Sequence, residues 1–98
     1  MKVIVIDGQG GKMGRALVEQ IIKQNIPCEL IAIGTNSMAT EAMLKGGAPA
    51  AATGENPVIV NAAKADVIVV LVKHSRFRGL VGRNPAARIL NFCDLEVD

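Results

Sequence analysis

The chain has no tryptophan or tyrosine, and only two phenylalanines, Phe77 and Phe92. Base stacking on aromatic platforms, the usual device of single-strand and RNA binders, has little to work with, and a nucleic-acid partner is not expected. Cysteine is scarce: Cys28 and Cys93 stand far apart, with no CxxC. Such residues read as small apolar fillers rather than as a disulfide or a metal site. His74 is the only histidine, and no partner constellation for acid–base work surrounds it in the sequence. No nucleophile elbow, Walker lysine motif or metal-ligand spacing occurs. Long apolar runs are missing too. The longest strand-like one, Val67 to Val72, is six residues against the ~20 that span a bilayer. Asp7 and the nearby glycines interrupt any signal-peptide core, so a cytoplasmic location is the default expectation and no membrane partner is expected.

What is present is a small apolar chain. Half of its 98 residues are apolar, and they are chiefly Val, Ile, Leu, Ala and Met, the filling of α/β layers. The length suits one domain over residues 1–98. Charge is uneven. Residues 1–72 balance six basic groups against six acidic ones, residues 73–88 carry five basic groups and no acid, and residues 89–98 carry three acids. Residues 73–98 therefore read as an atypical tail.

The organising stretch is Val3-Ile4-Val5-Ile6-Asp7-Gly8-Gln9-Gly10-Gly11-Lys12-Met13-Gly14-Arg15. A β-branched run suits a strand covered on both faces. Gly8, Gly11 and Gly14 follow at every third residue, with Gly10 between them. Met13, Ala16, Leu17, Ile21 and Ile22 then form a helical stripe. Strand, glycine turn and helix in that order make the phosphate-binding corner of a dinucleotide fold. Lys12 and Arg15 oppose the dipole at that helix start, which favours a nearby anion. Asp7 sits beside the same spot. It could accept N–H bonds from the glycine turn, hold Mg²⁺, or act as a base.

Expected strands are Lys2–Ile6, Glu29–Ile33, a short piece within Ala48–Ala52, Val67–Val72 and Ile89–Cys93. Pro49 argues against a central position for the third. Expected helices are Lys12–Gln24, stopped by Asn25 and Pro27; Met38–Lys45, capped by Asn36 or Ser37; and Val58–Lys64, opened by Asn56 as cap and Pro57. Asn84-Pro85 could open another through Arg88. The alternation predicts an α/β, Rossmann-like three-layer sandwich with a mainly parallel sheet of four or five strands.

Ligands of open α/β sheets lie at the carboxyl edges of the strands. The candidate cofactor-binding residues there are Gly8, Gln9, Gly10, Gly11, Lys12, Met13 and Gly14, then Thr35 and Asn36, then Thr53, Gly54, Glu55 and Asn56. The acid that holds the adenosine ribose of NAD is missing after strand 2, where Gly34-Thr35-Asn36 stands instead, and no arginine waits for a 2′-phosphate. Arg76 and Arg78 after strand 4 could hold phosphates or simply be solvated.

Gly8-x-x-Gly11-Lys12-Met13-Gly14-Arg15-x-Leu17-Val18-Glu19 is similar to the nucleotide corner of dihydrodipicolinate reductases, which implies cofactor binding only, since the catalytic domain of those enzymes has no room here. Val5–Gly11, Ile31–Asn36, Ala39-Thr40, Met43–Lys45 and Ala52–Asn56 resemble a bacterial family known as a domain of unknown function, with a small Rossmann-like fold. That resemblance covers residues 1–72 and implies a fold without a chemistry. The expected function is binding of a nucleotide or dinucleotide phosphate, NAD(P) or another nucleotide, at the Gly8–Gly14 turn. The alternatives are an NAD(P)-dependent oxidoreductase or phosphate-ester enzyme that acts as a homo-oligomer, and an α/β scaffold with no ligand. Catalytic residues are not assignable from the sequence, and no metal is expected.

Overall fold

The computed structural model describes residues 1–72 and 84–92. The basic block from Lys73 to Arg78 with His74, and Cys93 with the acids after it, lie outside the described residues. Five parallel strands form one sheet in the order β3-β2-β1-β4-β5. The elements are β1 (Lys2–Asp7), α1 (Lys12–Lys23), β2 (Glu29–Gly34), α2 (Ser37–Lys45), β3 (Ala50–Thr53), α3 (Glu55–Ala62), β4 (Val67–Val70) and β5 (Arg88–Asn91). β1 and β2 pair along their full lengths, Lys2 opposite Glu29 through Asp7 opposite Gly34. Parallel strands need crossovers, and α1, α2 and α3 supply those that join β1 to β2, β2 to β3 and β3 to β4.

The sheet separates two cores. On one face Val3, Val5, Leu30, Ala32 and Val69 pack with Val18 of α1 and Met43 of α2. On the other, Ile4, Ile6, Ile33, Ile68 and Val70 pack with Val58 and Ala62 of α3. The alternation of odd and even positions on β1 is the period-2 rule of a strand buried on both faces. β3 is an edge strand, as Pro49 required.

Four expectations are corrected. The inward stripe of α1 is Gly14, Leu17, Val18 and Ile21, whereas Met13 and Ile22 are 60 % and 45 % exposed and Ala16 faces outward. Gly14 lets the helix settle close to β1, and that rotates the apolar stripe away from the sequence reading. The cap of α3 is Gly54, at φ 108°, not Asn56. Pro57 is then the third helical residue, where its missing N–H is still among the orphans of the first turn. Asn84-Pro85 opens a turn and no helix: Asn84 Oδ1 accepts the Ala86 N–H, and its Nδ2 donates to Ala62 O and Ala65 O. The last strand is Arg88–Asn91, starting earlier than expected.

The end of α1 follows its sequence closely. Asn25 stands at φ 52°, its N–H donates to Ile22 O, and the Ile26 N–H donates to Ile21 O. This is a Schellman motif with asparagine in the left-handed position. Asn25→Gly is expected to stabilise the protein by about 0.5 kcal/mol, or about 2–4 °C in Tm, measured by thermal unfolding. A loss of stability would mean that the Asn25 side chain contributes more than its conformation costs.

Candidate functional site

The βα loops after β1, β2 and β3, at 8–11, 35–36 and 54, lie together at the carboxyl edge of the sheet because all their strands are parallel. The Thr35 N–H donates to Asp7 O and the Gly54 N–H to Gly34 O, which ties each loop to its neighbour. The order reverses between β2-β1 and β4, so the switch point of the sheet lies beside Gly8. Thr35 and Val72 close around that glycine: a Cβ there would stand 2.8 Å from Thr35 Oγ1 and 3.1 Å from Val72 Cγ1.

The turn closes through a Gly11 N–H to Gly8 O bond of 2.9 Å, with Gln9 at φ 50° and Gly11 at φ 71°. Gly11 is the N-cap of α1 and offers no side-chain acceptor. Asp7 supplies one from the strand below. Its Oδ2 accepts the Gly14 N–H at 2.6 Å and its Oδ1 accepts the Gly8 N–H at 2.7 Å. Of the readings open for Asp7, acceptance of N–H bonds from the turn is therefore what the structure shows. Asp7 is 5 % exposed. Burial pushes its pKa above the ordinary 3.8, against the pull of the Gly14 and Gly8 N–H bonds. Arg15 has a partner of its own, Glu19, at 3.6 Å on the surface.

Packing accounts for most of the glycine pattern. A Cβ on Gly11 would lie 2.7 Å from both Ala39 Cα and Ala39 O, and one on Gly14 would lie 2.6 Å from Met43 Sδ. Gly34 is pressed against Thr40 and Asn36 O. This position at the end of β2 has no room for a side chain, so the ribose carboxylate of NAD-binding folds is sterically barred there. Gly10 is different. Nothing lies within 4 Å of a Cβ built on it, and its φ is not in the left-handed range.

The other candidates divide by what already engages them. Asn36 caps α2, its Oδ1 accepting the Ala39 N–H at 2.9 Å. The Thr53 hydroxyl lies 2.7 Å from that of Thr40. Thr40, buried, also donates to Asn36 O or Ala52 O, and so knits β2, α2 and β3 together. Sequence reading missed it because a threonine inside a helix carries no periodic signal. Glu55 and Asn56 fill the first turn of α3, on the opposite face of the sheet from α1. Lys12 and Met13 are exposed in the first turn of α1. Gly8 and Thr35 stand side by side at the carboxyl edge of β1 and β2, with the turn to Gly11 beside them, whereas Asn36 and Thr53 are engaged in hydrogen bonds within the fold. Cys28 is a free, half-buried thiol at the margin of the core. Among the described residues no group of His, Cys, Asp and Glu could hold a metal ion, and no helix is long and apolar enough to cross a membrane.

Fold and corner together define a small α/β sandwich of Rossmann-like type, with a glycine-rich βα turn at the switch point of its sheet. The chain belongs to the family described as Domain of unknown function (DUF3842), which it matches over residues 2–86. No curated protein and no solved structure matches it.

Proposed function

We propose that this protein binds the phosphate of a nucleotide or dinucleotide, NAD(P) among the candidates, at the turn from Gly8 to Met13, as a binding or sensor module. The observation that carries the reading is Gly10. Gly8, Gly11 and Gly14 are required by their neighbours, but nothing inside the described chain requires a glycine at 10. Open space beside an unhindered backbone at a helix start is what an approaching phosphate needs. Thr35 adds a half-exposed hydroxyl beside Gly8. Asp7 favours the competing reading, a scaffold without ligand, because it already serves the helix start as the resident anion.

A thermal-shift panel of NAD, NADP, ATP, FAD and sugar phosphates, with and without Mg²⁺, tests the reading. A true ligand at 100 times its Kd adds about 2.7 kcal/mol. Gly10→Leu is the matched variant: it should leave the unliganded Tm within about 2 °C, because its side chain enters open space, and abolish the ligand shift. A panel with no shift, or a shift that survives Gly10→Leu, sinks the proposal.

A further inference from the structure

β3 is an edge strand: β2 pairs with it on one side, and no strand lies beyond it among the described residues. Gly54 N–H points inward to Gly34 O, and β2 and β3 pair with Gly34 opposite Thr53. Strand groups alternate in direction, so Ala52 and Gly54 turn their N–H and C=O toward β2, and Ala51 and Thr53 turn theirs outward. β3 bears no charge, and its side chains are three alanines and a threonine whose hydroxyl is held by Thr40. Pro49 has no N–H to offer and closes the edge at its start, which confines any pairing to Ala51–Thr53.

We propose that β3 pairs antiparallel with β3 of a second copy about a two-fold axis at Ala52, joining two five-stranded sheets into one. Ala51 then faces Thr53 of the other copy, and Thr53 faces Ala51, each pair exchanging both main-chain bonds. The edge is self-complementary, as an isologous contact requires. α2 packs over β2 and β3. Its Ala39 and Ala42 face Gly11 of α1, and Thr40 reaches over β3. Leu44, one turn beyond Thr40, is 47 % exposed. Glu41 and Lys45, both exposed, form no ion pair among the described residues. A second α2 running the opposite way brings base toward acid across the axis.

The contact is small against the ~800 Å² per partner of a stable interface, so the dimer is expected to be weak. Sedimentation of the full chain should show the mass doubling between about 5 and 300 µM, the span over which such small contacts associate. Hydrogen exchange at the high concentration should slow at the Ala51 and Thr53 amides. Ala51→Pro removes an outward N–H and no ladder bond, so it should stay monomeric with its circular dichroism unchanged. Leu44→Glu, at an exposed helical position, should weaken association at least tenfold even if the proline variant folds poorly. A chain monomeric at 300 µM, a dimer that survives both substitutions, or protection appearing at Arg88–Asn91 instead would overturn the proposal.

Discussion

Gly11→Ala should destabilise this protein by about 3 kcal/mol or more, lowering Tm by about 12–24 °C if it folds at all. Two costs add. A left-handed residue with a Cβ carries about 1–2 kcal/mol of strain, and Gly11 stands at φ 71°. The new methyl would also enter Ala39, whose Cα and O lie 2.7 Å from its position and are backbone atoms that cannot rotate aside. Overpacking of that kind costs about 1–3 kcal/mol. Chemical denaturation of the variant beside Gly10→Ala gives the measurement. Gly10→Ala should cost under about 0.5 kcal/mol, because its methyl meets nothing within 4 Å. Equal losses at the two positions would mean that α2 is not seated on the turn as described. A binding assay on a Gly11 variant would confuse an unfolded protein with a lost ligand, and Gly10 is the position that separates the two.

The second large effect belongs to Asp7. Asp7→Ala removes the acceptor of two amides at a site 5 % exposed. An expected loss of about 2–4 kcal/mol follows from two unmet donors, one of them the third amide of α1. The pH dependence has an unusual sign. Burial raises the folded pKa of Asp7 above 3.8, so the folded state holds the proton more tightly than the unfolded chain. Asp7's contribution is therefore least favourable above its folded pKa. It improves as pH falls through that value and levels off below 3.8. The stability of wild type minus that of Asp7→Asn, measured by denaturation from pH 7 to pH 3.5, should rise toward acid. A difference that falls toward acid would show that the two N–H bonds outweigh burial and hold the pKa down. The same buried charge bears on ligand binding. An ionised Asp7 repels a phosphate at the neighbouring amides, so any anionic ligand has that repulsion to overcome.

Much of the fold was legible because its determinants are local. The β-branched run of β1, the Asn36 cap and the Asn25 stop each act within a few residues of chain. Pro49 marked an edge strand because the missing N–H is a property of the residue itself. Rotation of α1 was not legible, since it depends on Gly14 meeting Met43 and Asp7, one from α2 and one from β1. The Gly54 cap was hidden for a related reason: its φ of 108° is fixed by the bond to Gly34, twenty residues away in the chain.

The sequence by itself determined a strand–glycine–helix corner, an alternating α/β order and a charge-balanced first 72 residues, because periodicity, capping and composition are carried by neighbouring residues. Only the tertiary structure decided which glycines pack, that Gly10 has open space without a left-handed φ, that the carboxyl of Asp7 meets the Gly14 amide, and that Gly34 leaves no room for a ribose acid. Those outcomes turn on ångström-scale approaches between segments remote in the chain, and no spacing rule along one strand or helix contains them.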